Sequence, residues 1–192
     1  NPANPYAAAK LYAHNIAKIY RASYKMFISC GILFNHESPR RNFAFVTQKV
    51  AYAAACAKLG IRNSSLLNEE GEPIVKNGKV ALGNLEAKRD WGYAGDFVEA
   101  MWLMLQQDKP DDFVIGTNET HTIRELCEEA YGYVGVDYKD YIEVDPRFVR
   151  PTETGPLVGD YTKAKKVLGW KPKVTFKKLI QSMVDANLAR LK

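Results

Sequence analysis

Apolar positions recur at helical spacing from the first residues of the chain. Leu11, Ile16, Ile19, Tyr20 and Tyr24 predict one long helix from Tyr6 to about Tyr24. The pattern then changes. Met26 to Phe34 is a nearly unbroken apolar run, which reads as a strand buried on both faces, as in a parallel sheet covered by helices. A polar, proline-containing loop follows: Asn35-His36-Glu37-Ser38-Pro39-Arg40-Arg41. In open α/β sheets ligands sit just beyond the carboxyl ends of strands, so this loop is a candidate site. The bland alternative is a solvated turn with two surface arginines.

Phe45 to Leu59 reads as a second, alanine-rich helix, with Thr47 and Lys49 near its start. Residues 61–79 are polar and rich in Gly, Asn and Glu, which predicts a hairpin or an insertion loop. Val80 to Leu85 is a short strand running into a turn. Lys88 to Tyr93 leads into an amphipathic helix through Phe97, Val98, Met101, Trp102, Met104 and Leu105. Asp112 to Thr117 is another short strand. Thr122, with Glu125 three residues later, marks the capping box of a helix. Arg147 to Glu153 is a second polar, charged loop. Thr162–Leu168 forms a small helix, Gly169-Trp170-Lys171-Pro172 a turn, and an amphipathic last helix starts at Thr175. This alternation of strands and helices is an α/β pattern. Two or three strands do not complete a doubly wound sheet, and no Gly-x-Gly-x-x-Gly or Gly-x-x-Gly-x-x-Gly turn is present to hold a pyrophosphate.

Composition narrows the class. The chain has 192 residues, 46% hydrophobic and 26% charged, which suits one globular unit of ordinary size. No apolar run is long enough to span a membrane, and no signal peptide is visible. Cys30, Cys56 and Cys127 are odd in number, widely spaced and set in apolar surroundings. They read as reduced, buried thiols of a cytoplasmic protein, with Cys30 inert inside its strand. His14, His36 and His121 are too scattered to suggest a metal centre, so no metal is expected. The net charge of +5 is spread along the chain without an aromatic-interleaved basic stripe. It suits a small anionic ligand such as a nucleotide diphosphate at least as well as nucleic acid, which is not expected as a partner. The chain begins without Met and inside a motif, so a segment of a longer protein is expected.

The strongest chemical candidate is Tyr6 with Lys10. Four residues apart on a helix, they share a face, with small alanines between them. A phenol is a poor base at neutral pH, but a neighbouring ammonium favours the phenolate. Such a pair can take a proton from a sugar hydroxyl while hydride leaves the same carbon. The same spacing also arises by chance in many helices. Trp91, Trp102 and Trp170 read as core or turn packing, Asp90 as ordering its own turn, and Lys163, Lys165 and Lys166 as a solvated helix face.

Several motifs coincide with that pair: Pro5-Tyr6-Ala7-Ala8-Ala9-Lys10-Leu11-Tyr12-Ala13-His14, Gly31 to Arg41, Phe45-Val46-Thr47, Leu82-Gly83-Asn84-Leu85, Ala87 to Gly92, Asp96 to Gln106, Arg150-Pro151-Thr152-Glu153 and Leu168 to Pro172. Through them the chain resembles the carboxy-terminal half of the GDP-mannose 4,6-dehydratase family, within the extended short-chain dehydrogenase/reductase superfamily. The resemblance runs end to end apart from residues 61–79. It implies the C-terminal part of a Rossmann-type NAD(P)-binding fold with the smaller α/β substrate-binding domain. Residues 1–41 would close the Rossmann-type domain. Residues 42–192 would be mainly the nucleotide-sugar domain, returning to the Rossmann sheet around 80–120, and the N-terminal cofactor-binding half would lie outside this chain.

The resemblance implies a lyase that converts GDP-mannose to GDP-4-keto-6-deoxymannose with a bound, recycled NADP, in the nucleotide-sugar metabolism that leads to GDP-fucose. Tyr6 would take the C4 hydroxyl proton, and Lys10 would hold the nicotinamide ribose and keep the phenol acidic. His36 and Arg41 would contact the cofactor. Asn35 would meet the hexose or pyrophosphate. Lys49, Leu82, Gly83, Asn84 and Lys88 would line the guanosine pocket, while Arg89, Arg150 and Glu153 would clamp the diphosphate and ribose. A homo-oligomer, dimer or tetramer, is expected for the full-length protein. The family's Thr or Ser at the C4 oxygen and Glu at C5 lie before the Tyr motif, so the segment alone would be inactive and would fold poorly. Asn42-Phe43-Ala44 replaces a usual Gly after Arg41, Gln48 a usual Arg, and Tyr93 a usual His. The alternatives are another nucleotide-sugar dehydratase, epimerase or reductase of the superfamily, or a non-catalytic nucleotide-sugar-binding module.

Overall fold

The computed structural model describes residues 2–68, 70–148, 155 and 157–192. Helix α1, Pro5–Tyr24, starts as the sequence requires. The Asn4 side chain accepts a hydrogen bond from the Ala7 N–H at 2.8 Å, and Pro5 sits where a missing N–H costs nothing. The helix ends at Lys25 in the left-handed region, and none of its residues is buried.

Strand β1, Cys30–Leu33, is shorter than the apolar run that predicts it. It pairs in parallel with a strand far along the chain, Cys30 opposite Asp112 and Leu33 opposite Ile115. No strand pairs with its other edge among the described residues. Gly31 and Ile32 are exposed, Ile32 at 46%, and Met26 and Phe27 are exposed as well. The expectation of burial on both faces is therefore corrected. Among the described residues, nothing covers the exposed Gly31 and Ile32 side of this strand.

Strand β2, Asn35–Glu37, follows after a single residue and leads to helix α2, Val46–Lys58. Every residue of α2 from Val50 to Cys56 is buried. A helix apolar all round belongs in a core, and the alanines let neighbouring helices approach closely. Residues 61–79 form a compact loop with isolated bridges Leu67–Pro73 and Lys76–Lys79, and it turns Ile74 and Val75 into the same core. Next come β3, Val80–Leu82, β4, Lys88–Arg89, and β5, Trp91–Tyr93, then helix α3, Ala94–Leu105. Strand β6, Asp112–Ile115, is the partner of β1, and β7, His121–Thr122, opens helix α4, Ile123–Val134. The capping box is formed: Glu125 N–H donates to Thr122 Oγ1 at 2.9 Å, and Thr122 N–H to the Glu125 carboxylate at 3.3 Å. Strand β8, Ile142–Val144, precedes helices α5, Thr162–Leu168, and α6, Phe176–Leu191.

The described strands pair two by two: β1 with β6, β2 with β5 and β3 with β8 in parallel, and β4 with β7 antiparallel. Two apolar clusters back them. The larger joins α2, α4 and α6 with β3. The smaller holds Phe97, Met104, Phe113, Ile115, Leu168 and Trp170. Asp96, at the start of α3, fastens the Gly169–Pro172 turn to it. Trp170 Nε1 donates to the Asp96 carbonyl at 2.8 Å, and the Asp96 carboxylate accepts the N–H groups of Lys173 and Val174. Trp170 is thus core, as expected. Trp102 is not: it lies 61% exposed on the outer face of α3, beside Val98 and Leu105.

A helix without buried contacts has little to hold it in water. In hydrogen–deuterium exchange of the 192-residue chain, the amides of α1 are expected to exchange far faster than those of α2. Equal protection of the two helices would contradict this uneven stability.

Candidate functional site

Strand β2 and the loop after it, the start of α2 and the turn after β3 surround a cleft of about 790 Å³. Eight of the residues singled out in the sequence line it: Tyr6, Asn35, Arg41, Lys49, Leu82, Gly83, Asn84 and Arg89. They come from separated stretches of chain. Lys88 lines a smaller depression of about 290 Å³ that shares Asn35 and Arg89 with the cleft. Lys10 and His36 line neither hollow. Arg150 and Glu153 lie outside the described residues.

Tyr6 stands in the first turn of α1, 71% exposed, at the rim. Lys10 lies on the same helix face with its Nζ 5.4 Å from the Tyr6 ring centroid. Asn35 is aimed by its own amide, whose Nδ2 donates to the Asp90 carbonyl at 3.0 Å. His36 turns the other way. Its Nδ1 is 2.9 Å from the Phe34 carbonyl, which can only accept, so the proton is assigned to Nδ1. Its ring stacks on Phe97 in the smaller cluster at 5.2 Å.

Cations dominate the walls. Arg41 Cζ lies 3.4 Å from the Phe45 ring centroid, and its Nε is 3.1 Å from Glu37 Oε2. Lys49 Nζ lies 4.6 Å from the Phe148 ring centroid, with Arg147 Cζ at 5.8 Å from the same ring. Glu37 is the buried counter-charge at 3% exposure, and Thr47 Oγ1 donates to it at 2.7 Å. Burial pushes the Glu37 carboxyl above the usual range, and Thr47 and Arg41 pull against that. Glu70 also lines the cleft, paired with Arg147 at 3.4 Å, so four cations face two carboxylates, and an excess of positive charge of this kind draws anions.

Glu37, Phe45, Thr47, Trp91 and Phe148 join the lining without having been chosen as site residues. Glu37 and Thr47 stand inside quoted motifs, but ten residues apart, so neither periodicity nor spacing reveals that they touch. Asp90 corrects a second expectation. It does not order its own turn. Fully buried, it accepts from Thr117 N–H at 3.0 Å, Thr117 Oγ1 at 2.7 Å and Gly159 N–H at 3.0 Å, groups 27 and 69 residues away. Gly116 and Gly159 make that crossing possible, since a Cβ on Gly116 would lie 2.7 Å from Gly159 Cα.

Cys30 corrects a third. It is half-buried, with Arg21 Nη2 3.7 Å from its sulfur. Burial and the nearby Asp112 carboxylate raise its thiol pKa, which keeps it protonated. Cys56 and Cys127 are buried, as expected, and burial pushes the Cys127 thiol up to about 12. His14 is not isolated either: with Cys30 and Asp112 it brings three possible ligand atoms within 4.8 Å of one another. Arg21 already bonds the Asp112 carboxylate, so a cation fills the role that a metal ion would take there.

Asp90→Asn keeps the volume but offers one acceptor oxygen to donors that now use two. A loss of about 3 kcal/mol is expected for these buried bonds. Urea unfolding followed by tryptophan fluorescence checks it, and an unchanged midpoint would contradict the role of Asp90 as a tie between loops.

A family model described as GDP-mannose 4,6 dehydratase matches residues 1–183. The chain is 50% identical over 188 residues to GDP-mannose 4,6 dehydratase 1 of Arabidopsis thaliana, covering 98% of this chain and 48% of that protein. It is 44% identical to GDP-mannose 4,6 dehydratase of Homo sapiens, covering 97% of this chain and 51% of that one. The chain spans about half the length of the curated relatives it matches. Among solved structures it is similar to RMD from Pseudomonas aeruginosa complexed with NADPH, with a TM-score of 0.83 and 22% identity over 99% of this chain and 58% of that chain. The UDP-glucose 4-epimerase of Thermus thermophilus, in complex with NAD, gives a TM-score of 0.75 and 27% identity over 97% of this chain and 55% of that one. The fold is that of the carboxy-terminal portion of a Rossmann-type extended short-chain dehydrogenase.

Proposed function

The chain belongs to the GDP-mannose 4,6-dehydratase family, and from that premise we propose that it is the Tyr–Lys and nucleotide-sugar half of an enzyme that dehydrates GDP-mannose to GDP-4-keto-6-deoxymannose. The observation that carries the reading is the single cleft lined by Tyr6, Asn35, Arg41, Lys49, Leu82–Asn84 and Arg89. The relatives' names supply the substrate. The smaller apolar cluster, in which Leu33 packs with Phe97, Met104, Phe113 and Ile115, supports a division in which residues 1–41 and a return around 80–120 belong to the Rossmann-type part, and most of 42–192 to the nucleotide-sugar part.

A nicotinamide dinucleotide, NADP in the finer reading, would be held by Lys10, His36 and Arg41 and would supply a reversible hydride acceptor next to the hexose. The residues present fit part of such a group: Tyr6 is open at the rim of the same cleft whose wall carries the Arg41 guanidinium. Tyr6 accepts the C4 hydroxyl proton through its phenolic oxygen. Lys10, on the same helix face with its Nζ 5.4 Å from the Tyr6 ring centroid, binds the nicotinamide ribose. The resulting 4-ketone acidifies the C5 hydrogen, and water leaves from C6. Arg89, with Arg150 and Glu153, holds the diphosphate and ribose, while Lys49, Leu82–Asn84 and Lys88 receive the guanosine. Arginine suits the diphosphate because its planar fork donates two parallel bonds. Asn35 orients the hexose or the pyrophosphate, and His36 joins Arg41 on the cofactor side. The Thr or Ser and Glu of the family's chemistry would come from the preceding half.

The enzyme works as a homo-oligomer in the cytoplasm, and the unpaired thiols support that compartment. No helix among the described residues is long and apolar enough to cross a membrane.

The test is to incubate the full-length protein that carries this chain with GDP-mannose and a trace of NADP and to follow the product by mass. Loss of one water is expected, and Tyr6→Phe is expected to lower the rate by about 10²–10⁴-fold, the usual contribution of a positioned acid or base. Turnover of a different nucleotide sugar would retire the guanosine assignments while keeping the Tyr6–Lys10 pair.

A further inference from the structure

We propose that Glu37 is a positioning residue that, with Thr47 and Phe45, fixes the Arg41 guanidinium as a phosphate-binding fork in the large cleft. The inference rests on the nucleotide-binding reading above.

Four side chains make the device, and all line the cleft. Glu37 Oε2 faces both Thr47 Oγ1, at 2.7 Å, and Arg41 Nε, at 3.1 Å. The Arg41 guanidinium lies on the Phe45 ring, its Cζ 3.4 Å from the centroid. One edge of the cation is therefore ion-paired to a carboxylate, with no hydrogen bond formed at Nε, and one face lies on an aromatic ring. The contacts to Glu37 use only Nε. Among the described residues, neither Nη atom of Arg41 has a protein hydrogen-bond partner, so both remain for a ligand. Two parallel N–H groups on one plane are the complement of two oxygens of a phosphate.

The burial of Glu37 separates this role from a plain surface ion pair. Its side chain is 3% exposed against 29% for Arg41. A carboxylate so enclosed is costly unless it is hydrogen-bonded and paired, and here the Thr47 hydroxyl and the Arg41 cation do both. The charge is thus kept where it is least screened and acts most strongly on Nε. Arginine has about 2 kcal/mol of rotamer freedom to lose. Holding it in place before the ligand arrives removes that loss from binding. Phosphate could come from the dinucleotide cofactor or from the nucleotide sugar, and the chemistry at Arg41 is the same for both.

The test uses calorimetric titration of the full-length protein carrying this chain with NADPH and, separately, with GDP. Wild type is compared with Glu37→Gln, Arg41→Ala and the double variant. Glu37→Gln keeps the shape but loses the charge. It is expected to weaken one of the two ligands about tenfold, and the ligand affected identifies the phosphate that Arg41 takes. The double variant is expected to bind that ligand no worse than Arg41→Ala alone. Independent losses that multiply, or unchanged binding of both ligands in Glu37→Gln, would overturn the proposal. Should Glu37→Gln fail to fold, the same cycle with Thr47→Val decides, non-multiplying losses supporting the proposal and multiplying losses overturning it. Wild type that binds NADPH but not GDP would sink the GDP-mannose reading, while the cycle on NADPH still judges Glu37. Binding of neither ligand would end both proposals.

Discussion

The carboxylate of Asp90 is the point at which loops far apart in the chain are tied together. It is fully buried and accepts from both the N–H and the hydroxyl of Thr117 and from the Gly159 N–H. Its own carbonyl receives the Asn35 amide, so the same residue reaches the first segment of the cleft as well. A buried carboxylate is tolerated only when its oxygens are satisfied. Each of these loops therefore depends on the others being in place. Because Asp90 sits between β4 and β5, the tie also fixes the strand that carries Arg89 and the strand that pairs with β2.

Around that tie, two kinds of packing divide the work. The α2–α4–α6 core is tight because the Val50–Cys56 run of α2 is buried and mostly small, so its neighbours approach from every side. The smaller cluster is held instead by one aspartate, Asp96, which receives both the Trp170 indole and the backbone after it. The cleft opens between β2 with the loop after it, the first turn of α2 and the turn after β3. Its electrostatics follow from that position: cations on long side chains along the walls, Glu70 paired with Arg147 among them, and the Glu37 carboxylate buried. A hollow of this sort concentrates anions and at the same time fixes at least one of its cations.

The uncovered surfaces belong to the same physical picture. Helix α1 buries none of its residues, β1 has one free edge, and α3 presents Val98, Trp102 and Leu105 to solvent. These are apolar positions with the right periodicity for burial and nothing among the described residues packed on them. In relatives the matched region is about half the chain length. Tyr6 stands on the uncovered helix, so its chemistry and the unfilled packing share one element.

Much was legible in the sequence. The α1 helix from its spacing, the Thr122–Glu125 capping box, the alanine-rich α2 and the Tyr6–Lys10 face all follow from local periodicity and local hydrogen bonding, which act over about four residues or fewer. Motif resemblance supplied Asn35, Arg41, Lys49, Leu82–Asn84 and Arg89, and these do gather in one cleft. Whatever depends on distant partners was not legible. Asp90 reads as a turn residue until Gly159 is brought to it, and Cys30 reads as buried although its strand has cover on one side only. Glu37 is one more acidic residue in a loop until β2 places its carboxylate against Thr47 and Arg41. The sequence by itself determined the elements and the chemical inventory, because propensity, capping and alternation are local. Only the tertiary structure decided which groups are buried together and which cation faces the cleft, because burial is a property of what the chain brings from elsewhere.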